Sequence, residues 1–169
     1  MITDNSVDHS PPITMVGVLG CGKADTLLYE AARQVGVLIA QRGWWVVCGG
    51  LAGVMEGACR GAREAGGHTV GILPGVRRSD ANPWVELVIV SGIGEARNTL
   101  IARTAQACIA LPGSHGTLSE IAHCLNFGTP VVGLRCPGSG TIPYSSIDVL
   151  ENPEAACDWV ASRLKTQAS

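Results

Sequence analysis

Short apolar runs alternate with longer amphipathic stretches along most of this chain. The first run, MVGVLG at 15–20, is apolar throughout and ends on glycine, which predicts a buried strand. Apolar side chains then recur at helical spacing from Leu28 to Ile39, and Gly43 supplies a helix stop. A strand followed by a helix is therefore the unit that the pattern predicts, and the unit repeats along the sequence.

The later segments extend the same alternation. Further strands are predicted at 45–48, 68–73, 85–90, 107–111 and 131–134. Helices are predicted at 53–65, 95–106, 117–127 and 153–164. Because the strands are apolar on both faces and alternate with helices, we expect a mainly parallel sheet between two helix layers, a Rossmann-like three-layer α/β/α fold.

The start of the chain departs from this pattern. Residues 1–14 have no hydrophobic period and include Ser10-Pro11-Pro12, so they are predicted to form a disordered arm. The remaining residues, 15–169, are expected to fold as a single domain.

Composition narrows the range of partners. The net charge is −2 and aromatic residues make up 4% of the chain, which gives neither the basic surface nor the stacking residues of nucleic-acid binding. No apolar run reaches the roughly 18 residues that span a bilayer, and the first residues do not resemble a signal peptide. We therefore expect a cytoplasmic protein without a nucleic-acid or membrane partner. Charged residues make up only 15%, which predicts a homo-oligomer with a buried interface.

Cysteine usage points to a reducing compartment. The seven cysteines include no CxxC pair and lie mostly in apolar segments, as small buried side chains do. No metal site is predicted. Cys21 and Cys48 each end a predicted strand, so a thiolate contact to a soft metal in a ligand is the alternative for these two residues.

Glycines cluster at the ends of the predicted strands. They number 22 of 169 residues, about twice the usual share. In a parallel sheet these clusters lie along the carboxyl edge, where glycine lets backbone N–H groups approach an anion at a helix N-terminus. We therefore predict a phosphorylated small-molecule ligand. The glycines concerned are Gly20, Gly22, Gly49, Gly50, Gly53, Gly113 and Gly116.

Two familiar nucleotide motifs are incomplete in the first glycine loop. The spacing GxxxxGK occurs at 17–23, but Ala24 stands where a P-loop needs a hydroxyl for magnesium. A GxGxxG fingerprint fails because Asp25 replaces its third glycine, and this acid is expected to cap the next helix. Neither NAD nor flavin is predicted as a cofactor.

Polar residues around the third loop supply candidate chemistry. Ser114 and Thr117 could donate hydrogen bonds to a phosphate, and Lys23 of the first loop could neutralise the charge of that phosphate. His115 either protonates a leaving group or is simply exposed to solvent. Glu120 has two alternatives: a ligand contact, or the reciprocal acid of a Thr-x-x-Glu capping box. The guanidinium of Arg97 suits a phosphate; the alternatives are a solvated surface arginine or a salt bridge with Glu95 or Glu120.

The third loop also carries a family resemblance. PGSHGTLSE at 112–120 resembles the PGGxGTxxE signature of the lysine-decarboxylase-like (LOG) family, with Ser114 in place of the second glycine. That family includes nucleoside 5′-monophosphate phosphoribohydrolases. GEARN at 94–98 occupies the place of the family's Arg-Lys pair, so Arg97 matches and Asn98 replaces the lysine. For a hydrolase, the resemblance implies catalytic roles for Arg97 and Glu120.

Four other parts of the sequence carry a second resemblance: segments 17–26, 53–75 and 92–98 and the Trp44-Trp45 strand entry. They are similar to corresponding stretches of the molybdenum cofactor carrier proteins, smaller members of the same superfamily, and the resemblance covers residues 15–134. It implies a homo-dimer or homo-tetramer of Rossmann-like subunits, with molybdenum cofactor, a pterin phosphate, as cargo. Two hypotheses follow, a non-catalytic carrier and a phosphoribohydrolase. Asn98 and the short chain favour the carrier.

Overall fold

The sheet has seven strands and is flanked by five α-helices in the computed structural model, which describes residues 12–167. Residues 1–11 of the predicted arm lie outside the described residues. The strands are β1 (Met15–Leu19), β2 (Trp45–Cys48), β3 (Thr69–Leu73), β4 (Leu87–Val90), β5 (Ala107–Ala110), β6 (Val131–Leu134) and β7 (Val149–Leu150). The helices are α1 (Thr26–Gln41), α2 (Val54–Glu64), α3 (Asn98–Thr104), α4 (His115–Phe127) and α5 (Pro153–Gln167).

The order of the strands places a crevice at the centre of the sheet. The order is β4-β3-β2-β1-β5-β6-β7, and every neighbouring pair is parallel. From β1 the chain builds the sheet outward to β4 on one side and then returns to β5 on the other side. The connections that leave the carboxyl ends of β1 and β5 therefore run in opposite directions and leave a crevice between them. This place is the switch point of the sheet, where open α/β sheets bind ligands.

Two layers of helices cover the sheet, as the alternating pattern predicts. Helices α1, α2 and α5 pack over one hydrophobic cluster, with Ala32, Ala58 and Val160 fully buried. Helices α3 and α4 cover a second cluster on the opposite face, with Ile101 and Ile121 at its centre. The Rossmann-like three-layer fold is confirmed. Among the helices of residues 12–167, none is long and apolar enough to cross a lipid bilayer.

Several helices and strands begin or end at other residues than the sequence predicts. The predicted strand at 85–90 forms only β4, at the sheet edge, where Leu87 and Ile89 are 48% and 40% exposed rather than buried. The predicted helix at 95–106 is a 3-10 turn (Gly94–Arg97) followed by the short α3. Helix α4 begins at His115 rather than at Thr117. Strand β7 is too short to give a hydrophobic pattern and was not predicted.

Glycines allow α1 and α2 to pack backbone against backbone. A β-carbon at Gly61 would collide with the carbonyl oxygen of Arg33, and one at Gly57 would lie 2.7 Å from the carbonyl oxygen of Tyr29. Across the same contact, a β-carbon at Gly36 would collide with the carbonyl oxygen of Ala58. The sequence-based prediction that Gly57 and Gly61 permit close helix packing is confirmed.

Replacing Gly61 with alanine is therefore expected to force the two helices apart. Overpacking of this kind costs about 1–3 kcal/mol of unfolding free energy, measured by urea denaturation. The matched control is Gln34→Ala on the exposed side of α1, which should change stability by less than about 0.5 kcal/mol. Equal effects of the two substitutions would contradict the close backbone contact.

Candidate functional site

A cavity of about 170 Å³ opens at the crevice beyond β1 and β5. The loop after β1, the 3-10 turn before α3 and the first two turns of α4 form its walls. Seven residues singled out from the sequence line this first cavity: Gly20, Gly22, Arg97, Ser114, Gly116, Thr117 and Glu120. The sequence therefore predicted most of its polar lining.

A second cavity of about 260 Å³ adjoins the first and shares Cys21 and Ser114 with it. Lys23 and Gly113, both predicted as ligand contacts, line this second cavity. Asp25 lies at its edge and caps α1, since its Oδ1 accepts a hydrogen bond of 2.8 Å from the Leu28 backbone N–H. The predicted capping role of Asp25 is confirmed.

The second cavity is also bounded by a segment that the sequence did not mark as functional. Ser139 Oγ donates to Asp25 Oδ1 at 2.8 Å, and the Gly113 N–H donates to the carbonyl oxygen of Thr141 at 3.4 Å. Residues 139–141 thereby close one side of the cavity. The sequence signal for them is a break in the apolar pattern at 136–140, which is typical of a lid or a linker and does not by itself identify a ligand contact.

The floor of the first cavity holds a buried ion pair. Arg97 is 4% exposed and Glu120 is 6% exposed, and Arg97 Nη1 lies 3.4 Å from Glu120 Oε1. The same Nη1 donates to Asn98 Oδ1 at 2.9 Å. Arg97 Nε is buried and has no hydrogen-bond partner within residues 12–167. The pair is thus only partly satisfied by the protein, which is costly for buried charged groups.

Gly49 makes room for this arginine. A β-carbon at position 49 would lie 2.5 Å from both terminal nitrogens of the Arg97 guanidinium. Gly50 and Gly53 have positive φ angles of 72° and 67°, and they pack against Leu73 and the backbone of Gly22 respectively. None of the three glycines lines either cavity. These three glycines therefore lie behind the site, where Gly49 positions Arg97, whereas Leu51 of the same loop lines the first cavity.

Burial changes the acid strength of Glu120. Desolvation raises the pKa of its carboxyl to about 7, against the opposing attraction of Arg97 and with a smaller contribution from repulsion by Glu95. The capping-box interpretation of Glu120 is wrong. Because α4 begins two residues earlier than predicted, its N-cap is Ser114, and the Glu120 carboxylate contacts Arg97 instead of the helix start.

The raised pKa of Glu120 predicts a pH-dependent stability. An unfolded glutamate titrates near 4.5 and this one near 7, so the folded state binds the proton more tightly. The resulting stabilisation is complete below pH 4.5 and is lost as the pH rises through 7, about 3 kcal/mol in all. Urea denaturation of the wild type and of Glu120→Gln at pH 5 and pH 8 measures this. A pH dependence that is the same in both proteins would contradict it.

The other predicted residues lie outside the cavity linings. His115 is exposed at the first position of α4 and lines neither cavity. Cys48 is fully buried, with its Sγ 3.5 Å from Cys59 Sγ, so only Cys21 of the two candidate thiols reaches the ligand space. Within residues 12–167, no group of three His, Cys, Asp or Glu side chains is placed to share a metal ion.

Asn98 is a site residue whose role only the structure shows. Its side-chain amide donates to Ser119 Oγ at 3.2 Å and to Glu95 Oε2 at 3.4 Å, while its oxygen accepts from Arg97. Asn98 therefore holds the 3-10 turn and α4 together around the arginine. The sequence signal for Asn98 is that it replaces the lysine of the family's Arg-Lys pair, which does not predict these hydrogen bonds.

Comparisons with known proteins agree with this arrangement. The family described as SLOG cluster4 matches residues 13–163. The molybdenum cofactor binding protein from the phototrophic bacterium Rippkaea orientalis is 31% identical and has a TM-score of 0.83, covering 92% of this chain and 99% of that one. The molybdenum cofactor carrier protein of Chlamydomonas reinhardtii is 32% identical with a TM-score of 0.80, covering 90% of this chain and 99% of that one.

An enzyme is also among the relatives. The cytokinin riboside 5′-monophosphate phosphoribohydrolase of Mycobacterium tuberculosis is 38% identical over 97 residues, which are 56% of this chain and 52% of the relative. The chain thus spans about half the length of that relative. The family match, by contrast, extends from before β1 into α5 and includes the whole site. On this basis the chain belongs to the SLOG cluster4 family.

Proposed function

We propose that this protein binds molybdenum cofactor across its two neighbouring cavities and carries it without chemical change. The observation that carries the proposal is that two unlike cavities lie side by side and share the lining residues Cys21 and Ser114. One contains a buried arginine and carboxylate, and the other contains a lysine beside two helix N-termini. A ligand with a hydrogen-bonding ring at one end and a phosphate at the other fits the two cavities, with the ring beside Arg97 and Glu120 and the phosphate beside Lys23.

The phosphate belongs in the second cavity. Lys23 supplies a positive charge there, and Ser114 caps α4 without a side-chain hydrogen bond, so first-turn N–H groups are available to an anion. The first cavity is less suitable, because two carboxylates, Glu95 and Glu120, accompany the single cation Arg97 there. In the second cavity one carboxylate, Asp25, accompanies Lys23, and its Oδ1 already accepts from Leu28 and Ser139. The predicted contacts Lys23, Gly113, Ser114 and Thr117 therefore group around the α4 N-terminus.

A phosphoribohydrolase is the second candidate, and the state of Glu120 is the observation in its favour. A buried carboxyl whose pKa is raised to about 7 can exchange a proton near neutral pH, as glycosidic cleavage requires. Asn98 argues against it. Its amide is neutral and already donates to Glu95 and Ser119, so there is no second cation beside Arg97 to hold the phosphate or to stabilise the departing base.

The two functions are separated by testing the same purified protein in two assays. As a carrier it should bind molybdenum cofactor, slow its oxidation in air, and release no free base from a panel of nucleoside 5′-monophosphates. Base release that disappears in Glu120→Gln would instead establish the hydrolase and make Glu120 catalytic.

Lys23→Ala should weaken cofactor binding by roughly tenfold, through loss of one phosphate contact.

Homo-oligomerisation is part of the same proposal. Leu87 and Ile89 of β4 pair in register with Val70 and Ile72, whose side chains lie on the α3–α4 face of the sheet. Leu87 and Ile89 are nevertheless exposed, so helices α3 and α4 leave an apolar surface on this face of the edge strand. A second copy packed on this face would cover the surface and protect the open sheet edge.

The oligomer can be tested with a charge on that face. Ile89→Lys would bury an unpaired ammonium in the interface, so the dissociation constant of the oligomer should rise by at least about tenfold. Light scattering coupled to size-exclusion chromatography measures the change. Leu27→Lys is the matched control, because Leu27 is 63% exposed on α1, away from the α3–α4 face. An oligomer unchanged by Ile89→Lys would place the interface elsewhere.

A further inference from the structure

We propose that Glu120 and Arg97 recognise the 2-amino-4-oxo edge of the ligand's ring, which makes them the specificity-determining residues of the first cavity. The inference rests on the proposed function and deepens it, since it assigns the pterin end of the cargo to one cavity. It concerns which ring is accepted, and it requires no chemical step.

Glu120 lacks the donors that a buried carboxylate needs. A carboxylate has about four acceptor positions on its two oxygens. Within residues 12–167, Oε1 receives one long hydrogen bond of 3.4 Å from Arg97, and Oε2 receives none. The side chain is nevertheless only 8% exposed and lines the cavity. A ligand that enters the cavity must therefore bring N–H or O–H donors to Glu120.

Arg97 has donor capacity left over in the same place. Its Nη1 donates hydrogen bonds to both Asn98 and Glu120, whereas Nη2 has no hydrogen bond to any residue in the described part of the chain. Arg97 also lines the cavity. A ligand beside Glu120 therefore meets an acceptor and a donor side by side.

This order of groups matches a 2-amino-4-oxo pyrimidine ring. Along one edge such a ring presents an amino N–H, a ring N–H and a carbonyl oxygen. The two adjacent N–H groups fit a carboxylate as a guanidinium does, and the carbonyl oxygen accepts from an arginine as it does in guanine recognition. A ring with a 2-oxo group keeps the ring N–H and the 4-oxo contacts but places an acceptor against one Glu120 oxygen, so that neither this oxygen nor the 2-oxo group is paired.

The shape and charge of the cavity agree with a flat ring rather than with a phosphate. Leu51 and Met55 provide apolar walls, and a volume of about 170 Å³ suits a bicyclic ring. The carboxylate of Glu95, 3.4 Å from the Asn98 amide, adds negative charge to the rim. The ligand's phosphate then reaches the second cavity past Cys21 and Ser114, which both cavities share.

The test compares two fluorescent ligands that differ at one position. The probes are 6-hydroxymethylpterin phosphate and its lumazine counterpart, in which a 2-oxo group replaces the 2-amino group. The full chain should bind the pterin roughly a hundredfold more tightly than the lumazine, because the wrong ring leaves buried groups unpaired. Glu120→Gln, whose amide donates to a 2-oxo group, should lose or reverse this preference.

Several results would overturn the inference. Wild-type affinities for the two probes within about twofold of each other would do so without any variant. Equal weakening of both probes by Glu120→Gln, with the variant shown to be folded by urea denaturation, would do so as well. Binding of molybdenum cofactor without discrimination between the probes would remove this inference and leave the carrier proposal standing. Discrimination without cofactor binding would support the inference and remove the carrier.

Discussion

Replacing Arg97 with alanine is expected to destabilise the protein by about 3–5 kcal/mol at pH 8. The substitution leaves Glu120 6% exposed without its cationic partner, and an uncompensated buried carboxylate is costly. The loss should be much smaller at pH 5, where Glu120, whose pKa already lies at about 7 beside Arg97, is protonated and neutral. Urea denaturation at the two pH values measures the difference.

The double variant Arg97→Ala/Glu120→Gln separates stability from recognition. With the carboxylate gone, most of the stability at pH 8 should return, but binding of the pterin phosphate probe should stay weaker by roughly a hundredfold. Arg77→Ala is the matched control, since Arg77 is exposed and forms a surface ion pair with Asp80, and its effect should stay within about 0.5 kcal/mol. If Arg97→Ala destabilised equally at both pH values, charge burial would not be the cause.

The fold could be predicted from the sequence because its signals are local. Apolar runs such as 107–111 and helical periods such as that of α1 depend on neighbouring residues alone, and the alternation of the two patterns limits the topology to a parallel sheet. The same pattern does not separate a central strand from an edge strand. Strand β4 is as apolar as β5, yet β4 lies at the margin with both main faces open.

The site was predicted only in part, for a related physical reason. Glycines and hydroxyls at the ends of β1 and β5 are marked by their position, and both groups line the cavities. The contact between Gly49 and the Arg97 guanidinium joins residues far apart in the chain, so no spacing encodes it. The start of α4 at His115 was missed because Ser114, not Thr117, provides the N-cap. That small shift removes the capping-box alternative for Glu120 and leaves the other alternative, a residue that lines the cavity.

Gly49→Ala is expected to disable the site although Gly49 itself lines neither cavity. The new β-carbon would stand 2.5 Å from both terminal nitrogens of Arg97, so the guanidinium must leave its place. Its bonds to Asn98 and Glu120 would then be lost together. We expect a loss of about 3 kcal/mol in stability at pH 8 and roughly a hundredfold in affinity for the pterin phosphate probe.

The matched control for Gly49→Ala is Gly22→Ala. Gly22 lines the first cavity, but a β-carbon there would approach nothing closer than Met55 Cε at 3.9 Å, and its φ is not positive. If glycine acts at this edge mainly by giving the ligand access to the backbone, Gly22→Ala should be the more harmful substitution. If the second glycine loop acts by holding Arg97 against Glu120, Gly49→Ala should be worse, and its stability loss should shrink at pH 5 as that of Arg97→Ala does. If Gly22→Ala proved worse than Gly49→Ala, the glycines of this edge would act by admitting the ligand to the backbone and not by positioning Arg97.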